Sequence, residues 1–476
     1  MTSTPRILAR LAPGLITLLL TACKAGPDYQ APVQSYPAHF THDLNDTQRI
    51  SAIETRWWGH FDDALLTTLV EQTLSNNLDV RMASARLVEA RGLLTLTGLE
   101  LLPGVSTHTN YTAQKRSLDA LNGRNFVPRD LELFNAGFDA TWEVDLFGRL
   151  RRRVEVSEAQ MEISRAERRD IIVSVIAETV RNYLLLRGAQ AERSVALANL
   201  ANQQEVLSIT QVQLEAGKAT DLDTARIREL LSVTRAGLPE LDTQEAQAIH
   251  RISVLTGQLP GALQDTLSVT QDLPTLTHEL NPGAPEDLIR RRPDIRSAEQ
   301  KLKAATANIG VITAELFPRL SFNGNFSLES RTLLGLGGPG SESFLAGPRL
   351  TWAAFDLGRV KTRIKAANAE ADVALADYQQ TVLSALEDTE NALVNFAGQR
   401  TRLIALKEAS SASLEARRLT QLRFESGVGD FMSVLDAERR VLEDERQRIR
   451  GQTATLTALL TVYKALGGGW EAFEQG

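Results

Sequence analysis

Apolar residues recur at helical spacing over two very long stretches of the chain. The first runs from Arg149 to Leu214 without a proline, and its leucines at 200, 207 and 214 lie seven residues apart. The second covers residues 359–425. At 1.5 Å per residue, a helix over the first stretch would be roughly 100 Å long. Only other long helices can cover the apolar positions of such a helix, so the pattern predicts coiled-coil-like packing.

Each long stretch ends in a turn that contains glycine, and a second helical pattern follows it. Gly217 suits the residue just beyond a helix C-terminus, and Thr220 suits the N-cap of the next helix. The return helices are expected to extend to Leu255 in the first case and over 430–466 in the second. Pro239 lies inside the first return helix and predicts a kink there, since proline removes a backbone donor.

Strict alternation of apolar and polar residues marks two shorter regions, about 104–142 and about 319–352. Phe138, Ala140 and Trp142, for example, alternate with polar neighbours. This pattern predicts a β-hairpin in each region with one apolar face. Each arm has about ten residues, which is long enough for a tilted strand that crosses a membrane.

The two halves of the chain share one layout, which predicts two internal structural repeats. Three pairs of landmark glycines each lie 210 residues apart: Gly148 and Gly358, Gly217 and Gly427, Gly257 and Gly467. A constant spacing over packed helices indicates a length under constraint, because loops accept insertions more readily. We expect repeat 1 at 62–257, a connector at 258–285 and repeat 2 at 286–467, with an extended arm at 23–61 and a tail at 468–476.

The N-terminus has the features of a secretory signal peptide at 1–22. Arg6 and Arg10 precede a short apolar run, and the only cysteine of the chain, Cys23, follows small residues. The sequence Leu-Thr-Ala-Cys at 20–23 resembles the lipobox of bacterial lipoproteins. That resemblance implies a covalent lipid on Cys23 and, because Lys24 follows it, delivery to the outer membrane.

Composition and motifs argue against several other functions. The formal net charge is −7, so no electrostatic footprint for nucleic acid is expected. The six histidines are scattered without the spacing of metal ligands, and no phosphate-binding or nucleophile motif is present. We therefore predict no enzymatic activity, no metal and no cofactor other than the lipid.

Carboxylates concentrate just beyond the two helical turns, at Asp221, Asp223, Asp430 and Asp436. In a ring of several copies such carboxylates would converge on one aperture, where they select cations or close a pore through ion pairs. Arg226 and Arg439 are their expected partners. The alternative for Asp221 and Asp430 is helix capping, because aspartate is favoured in a first turn.

Nearly the whole mature chain resembles the bacterial outer-membrane factor family (TolC-like), in its efflux-lipoprotein branch. The segments that carry the resemblance are the lipobox, Gly26-Pro-Asp-Tyr29, Trp57-Trp58 with Phe61, Arg292-Pro-Asp-Ile295, Glu315-Leu-Phe-Pro318, Asp356-Leu-Gly-Arg359, Arg423-Phe424 and Leu435-Asp-Ala-Glu-Arg439.

The resemblance implies a mainly α-helical homotrimer with a transmembrane β portion. Four strands from each chain would build a shared 12-stranded β-barrel in the outer membrane, and the long helical hairpins would form an α-barrel in the periplasm. By position, Met432 and Asp436 match the family's apolar and acidic constriction, and Arg439 its nearby basic residue. The turns at Gly217 and Gly427 would contact a periplasmic adaptor.

The predicted function is that of a passive exit duct in a tripartite efflux system. An inner-membrane transporter would pump small molecules such as drugs or metal ions through the adaptor and this channel out of a Gram-negative cell. One alternative keeps the duct but makes its cargo a secreted protein. Another is a periplasmic coiled-coil scaffold lipoprotein without a pore.

Overall fold

The structure is a computed structural model that describes residues 24–32, 39–41, 55–117, 119, 128–274, 285–426 and 428–473. The predicted signal peptide, Cys23 and Gly427 lie outside the described residues. Two compact units form within the chain. One holds the described parts of Leu87–Ser164 and Ser297–Gln379 with residues 24–32, and the other holds the described parts of Gln34–Arg86, Arg165–Arg296 and Gln380–Gly476.

Helices make up most of the described chain, as predicted. In order they are α1 (Ala64–Asn76), α2 (Leu78–Leu99), α3 (Arg149–Glu215), α4 (Asp221–Ala236), α5 (Leu238–Leu255), α6 (Gln264–Leu267), α7 (Pro285–Arg291), α8 (Pro293–Thr313), α9 (Leu357–Glu425) and α10 (Phe431–Ala465). The two very long helices predicted from the apolar spacing are confirmed: α3 has 67 residues and α9 has 69. No helix in the described segments is both long enough and apolar enough to cross a membrane.

Four antiparallel strands form one sheet in the first unit, in the order β1 (Gly104–Lys115), β2 (Asp130–Val144), β3 (Arg319–Ser330) and β4 (Glu342–Thr351). The two predicted hairpins are both present. Alternation alone did not predict that β2 would pair with β3, which joins the hairpins of the two repeats into one sheet. Long-range pairing of this kind depends on how the helices place the strands, so no local pattern encodes it.

The sheet has one aromatic face and one polar face. Phe138 on β2 stacks on Phe326 of β3 with ring centroids 5.5 Å apart. On the other face, Asp139 accepts a hydrogen bond from Asn325 at 2.8 Å and lies 2.9 Å from the ring of His108. Because side chains alternate along a strand, a shift of one residue would exchange these two sets, so the pairing register is strongly specified.

A tryptophan near the end of each hairpin fastens it to the helix that leads into it. The indole nitrogen of Trp142 donates to the carbonyl of Leu101 at 3.0 Å, and that of Trp352 donates to the carbonyl of Leu316, also at 3.0 Å. The tryptophans lie 210 residues apart and the leucines 215 apart, because the hairpin region of repeat 2 is five residues shorter. The same contact therefore survives a change of loop length.

The residues that follow Cys23 are held against the first unit by a buried arginine. Arg152, whose side chain is 3% exposed, donates to the carbonyls of Ala25 and Gly26 and pairs with Asp28 at 2.8 Å. Gly26 has a φ of +80°, and a Cβ there would lie 2.5 Å from the backbone of Gly310. Only glycine permits so close an approach.

At the predicted kink near Pro239, a single residue interrupts the helix and divides it in two. Helix α4 ends at Ala236, and α5 begins at Leu238, with Gly237 between them and Pro239 in the first turn of α5. Proline is tolerated in a first turn, where its missing N–H has no intrahelical acceptor. The equivalent of Pro239 in repeat 2 is Ile449, and α10 passes through it without interruption.

An aromatic cluster joins the N-terminal and C-terminal parts of the second unit. Trp57 and Trp58 are each 1% exposed, and Trp57 stacks on Tyr463 with ring centroids 5.0 Å apart. Nearby, Arg292 binds Asp294 at 2.7 Å and donates to the carbonyl of Ala465 at 3.0 Å. The motifs Trp-Trp and Arg-Pro-Asp-Ile thus hold the ends of helices together.

We predict that Gly137→Ala disrupts the sheet. A Cβ at this position would lie 2.3 Å from the Phe326 carbonyl oxygen and 2.7 Å from the Ser327 Cα. Overlap of this kind typically costs about 1–3 kcal/mol. The measurement is the fraction of heat-modifiable protein in outer-membrane extracts. Gly347→Ala on β4, where a Cβ meets nothing within 4 Å, is the matched control and should behave as the wild type.

We also predict that Trp57→Ala lowers the free energy of unfolding by about 3–5 kcal/mol, the usual cost of removing a buried tryptophan. Denaturant unfolding of the purified protein in detergent, followed by far-UV circular dichroism, measures this loss. Leu259→Ala removes an apolar side chain that is 81% exposed and should leave the curve unchanged. Equal curves for all three proteins would contradict the structural role of the cluster.

Candidate functional site

The candidate site is formed by the two turns that connect α3 to α4 and α9 to α10. In the first turn, Gly217 has a φ of +71° and its N–H donates to Leu214. Lys218 and Ala219 both donate to the carbonyl of Gln213, at 2.8 and 3.2 Å. These bonds satisfy carbonyls at the end of α3 that have no partner within the helix.

The second turn follows the same plan. The backbone N–H groups of Val428 and Gly429 both donate to the carbonyl of Arg423 at 3.0 Å. The following helix begins at Phe431, with Asp430 as its N-cap. Gly427, which was predicted to lie at this tip with Gly217, is outside the described residues.

The N-caps of the two return helices use the same pair of groups in opposite positions. Thr220 caps α4 and bonds the Asp223 carboxylate at 2.7 Å, whereas Asp430 caps α10 and bonds the Ser433 hydroxyl at 2.7 Å. The two caps lie 210 residues apart, and so do Asp223 and Ser433. Hydroxyl and carboxylate have exchanged places, yet each turn keeps one hydrogen bond between them.

These hydrogen bonds stabilise the ionised form of the two carboxylates. Bonds from the side chain and backbone of Thr220 lower the pKa of Asp223. Bonds from Ser433 lower the pKa of Asp430 in the same way. Both groups therefore stay ionised at neutral pH, where negative charge near a helix N-terminus is favourable. The structure gives both carboxylates the capping role, and Asp221 is exposed at the first residue of α4.

Within one chain, the arginines near the tips contact Glu229 and Met432, and Arg226 also attracts the Asp223 carboxylate. The predicted Asp–Arg pairs in a ring of several copies stay a prediction. Arg439 binds Glu229 at 2.5 Å, and the guanidinium of Arg226 lies against the sulfur of Met432. Asp436 pairs with Arg440 of its own helix at 3.2 Å. Within one chain, no contact in the described structure joins Asp436 to Arg439. The described ion pair between α4 and α10 is Glu229–Arg439, and it lies beside the contact of Arg226 with Met432.

Sequence reasoning missed Glu229, although a signal for it existed. Glu229 and Arg439 lie 210 residues apart, so they occupy equivalent positions on the two return helices. Where two repeats pack side by side, equivalent positions near the symmetry axis face each other, and opposite charges there are a candidate pair. The repeat spacing alone could have suggested this bond.

Beneath this pair, a small apolar cluster holds the two return helices together. Its buried members are Ile227 and Leu230 on α4 and Leu435 on α10, with Val206, Leu207 and Phe431 packed against them. Met432 lies outside the cluster and is 44% exposed. The site thus combines an apolar contact with an exposed ion pair, an arrangement suited to holding two helices together reversibly.

Among the described residues, no group of three or more histidine, cysteine, aspartate or glutamate side chains could hold a metal ion.

Comparison with known proteins identifies the class. The family model described as outer membrane efflux protein matches residues 69–258 and 284–468. The chain is 31% identical to outer membrane protein OprJ of Pseudomonas aeruginosa over 459 residues, 96% of this chain and 95% of that protein. It is also 30% identical to nodulation protein T of Rhizobium leguminosarum bv. trifolii, over 95% of this chain and 96% of that protein.

Solved structures agree with these relatives. The outer-membrane channel OprN superposes with a TM-score of 0.87 at 39% identity, covering 94% of this chain and all of that one. The CmeC outer-membrane channel of Campylobacter jejuni, at 22% identity, shares the fold with a TM-score of 0.86.

The chain belongs to the outer membrane efflux protein family. The predictions of the outer-membrane factor family, of an efflux channel and of an outer-membrane location in a Gram-negative bacterium are thereby confirmed. The family is one of channels rather than enzymes.

We predict that Thr220→Ala destabilises the start of α4 by about 1 kcal/mol, the typical cost of losing such a cap. Amide hydrogen exchange of peptides covering 221–230 measures the effect. Because the pKa of Asp223 is lowered, the cap contributes fully above the ordinary aspartate pKa of about 3.9 and is lost as the pH falls through the lowered value. Lys218→Ala, which leaves both cap side chains intact, should not change exchange in these peptides.

Proposed function

We propose that three copies of this chain form the exit duct of a tripartite efflux system, with a periplasmic adaptor and an inner-membrane transporter. The near full-length similarity to efflux outer-membrane proteins carries this proposal. Two further relatives are named as outer-membrane proteins of an antibiotic efflux pump and of a toluene efflux pump, both from Pseudomonas putida. Small apolar or amphipathic molecules are therefore the substrates we propose for this duct.

In the proposed assembly, the four-stranded sheets of three copies join into one closed sheet. The aromatic face that contains Phe138 and Phe326 would contact lipid, because apolar side chains at that position meet no water. The polar face with Asp139 and Asn325 would line the path of the substrate. Cys23 would carry the lipid anchor, and residues 1–22 would be removed on export, with the domain boundaries as predicted.

The gate lies, in this proposal, at the two helical turns. Met432 would supply an apolar ring and Asp436 an acidic ring, one residue of each kind from every copy. The exposed carboxylate of Asp221 and the capping carboxylates Asp223 and Asp430 add negative charge around the same turns. The adaptor would contact the turns themselves, at Gly217 and Gly427.

The Glu229–Arg439 pair acts in this proposal as the clasp that keeps α4 and α10 together inside each copy. Its side chains are 57% and 50% exposed, so water screens it well. Exposed pairs of this kind contribute about 0.2–1 kcal/mol. A pair of that strength stabilises the closed arrangement, but a docked partner can break it.

The protein-secretion alternative keeps the same duct, and no contact in the described chain favours a protein cargo over a small molecule. Growth of a deletion strain on antibiotics and on toluene, set beside its secreted proteins, tests the choice. We expect restored resistance when the wild-type gene is returned and unchanged secreted proteins. Unchanged resistance with a missing secreted protein would overturn the proposal.

The scaffold alternative has a separate test. If the purified protein stays a soluble monomer once its lipid is removed, the scaffold without a pore is favoured.

We predict that Arg439→Glu raises channel opening a few-fold in planar bilayers, because it replaces an attraction across the clasp by repulsion. The double variant Glu229→Arg with Arg439→Glu should return conductance towards the wild type, since it restores opposite charges. Arg418→Glu alters an exposed arginine that pairs with Glu415 within α9 and should change nothing. If the double variant conducts as much as the single one, the clasp is not part of the gate.

For the acidic ring, we expect that Asp436→Ala opens the channel or reduces its preference for cations. Removal of a negative ring lowers the local concentration of cations in a narrow aperture. Reversal potentials measured across a salt gradient report this preference directly. Unchanged conductance and unchanged selectivity would remove Asp436 from the gate.

A further inference from the structure

A glutamate is buried inside the second helical hairpin, close to its turn. Glu438 on α10 is 3% exposed, between the buried residues Val434 and Val441 of the same helix face. Its oxygen Oε2 has no hydrogen-bond partner within the described structure. A carboxylate in such a place costs free energy unless it is paired and hydrogen-bonded.

The compensation that Glu438 does receive is weak. Arg417 on α9 is the partner, at 3.9 Å, which is the outer limit of an ion pair and beyond hydrogen-bond distance. Burial dominates over the attraction to Arg417 and raises the pKa of Glu438. Glu445, seven residues further along the face of α10 that packs on α9 (the seam), shows the contrast. Burial opposes its ionisation too, but hydrogen bonds from Arg448 and Ser410 outweigh it and lower its pKa.

Besides Glu229, which pairs with Arg439, the other elements near Glu438 bring apolar and amide side chains. On α4, Ile227 and Leu230 form the apolar cluster with Leu435. On α3, the register runs antiparallel to α10: Glu192 binds Arg450 at 3.0 Å, and further along Leu207 packs on the cluster of Leu435. Gln203 lies between those two points, at the level of Glu438.

Gln203 is a second buried polar residue without hydrogen-bond partners at this level of the helices. Its side chain is 0% exposed, and neither atom of its amide has a hydrogen-bond partner in the described structure. The charged residues next to Glu438 on α10 are all directed elsewhere, with Asp436 bound to Arg440 and Arg439 to Glu229. Arg417 is therefore the charge, among the described groups, that acts on this carboxylate.

The repeat shows that burial of an acid here is a feature of the second hairpin only. The position equivalent to Glu438 is Arg228, which is exposed on α4. The position equivalent to Arg417 is Leu207, and that equivalent to Ser410 is Leu200. At these three positions the first hairpin has two leucines and an exposed arginine, whereas the second has a serine, an arginine and a buried carboxylate.

We propose that Glu438 is a gate-controlling residue, whose protonation closes the seam between α9 and α10 and whose ionisation loosens it near the turn. A neutral carboxyl can donate to a neighbouring oxygen and carries no charge to solvate. An ionised carboxylate is stabilised when the seam opens to water or when Arg417 moves closer. The inference deepens the proposed function, since it assigns to the channel a tip that is tighter in acid.

The direction of the pH effect follows from linkage. A raised pKa in the packed seam means that the packed form binds the proton more tightly, so packing is favoured at low pH. The free-energy cost of packing the ionised carboxylate appears as the pH rises above the ordinary glutamate pKa of about 4.3. It is complete above the raised pKa. Each unit by which packing raises the pKa corresponds to about a tenfold change in the ratio of loosened to packed seam.

Hydrogen–deuterium exchange of the full-length protein in detergent tests this directly. Peptides covering 431–445 are compared between wild type and Glu438→Gln at the same pH, so the intrinsic pH dependence of exchange cancels. We expect a wild-type to variant rate ratio near one at about pH 4 and a ratio of up to about tenfold at pH 7.5. Glu443→Gln, an exposed change on the same helix, should give the same ratio to wild type at both pH values.

A ratio for Glu438→Gln that does not change with pH would overturn the proposal. Bilayer conductance then connects the seam to the gate: wild-type opening should rise with pH, and Glu438→Gln should keep the low-pH level throughout. A pH-dependent exchange ratio with no conductance in any protein would instead count against the proposed duct, so the two failures are distinguishable.

Discussion

Very long helices with apolar seams are the constraint on which the rest of this structure depends. Neither α3 nor α9 can bury its own seam, because most helical stability in water comes from packing against other elements rather than from the helix itself. Each therefore needs a return helix of matched position, and each turn must reverse the chain without leaving unpaired carbonyls. The constant spacing of 210 residues between equivalent glycines of the two repeats reflects that requirement in the sequence.

The two turns show how the same physical need is met by different residues. Thr220 with Asp223 and Asp430 with Ser433 each pair a hydroxyl with a carboxylate at 2.7 Å, in opposite order along the chain. What is retained between the repeats is the satisfaction of the first N–H groups of a helix, not the identity of the residue at each place. Capping therefore explains two of the four carboxylates at the turns, Asp223 and Asp430, and leaves Asp221 and Asp436 without a capping bond.

In the proposed channel, stability and opening depend on different parts of the second unit. The aromatic cluster around Trp57 is fully buried, so its disruption costs the fold itself. Near the turns, the α4–α10 contact rests on a few apolar side chains and one exposed ion pair, and the α9–α10 seam includes the poorly compensated Glu438. Local opening draws on regions with few buried apolar contacts and exposed polar bonds, which describes these turns.

The sequence by itself determined the helices, the hairpins, the turns and the two repeats, because each depends on local periodicity or on spacing that can be read directly. Alternation placed the strands, and the resemblance to outer-membrane factors named the class that the comparisons confirmed. Only the tertiary structure decided which charges meet. Arg439 lies three residues from Asp436 but binds Glu229 across the repeats, since partner choice depends on which helix faces pack together. For the same reason only packing could show that Glu438 is buried while its equivalent Arg228 is exposed.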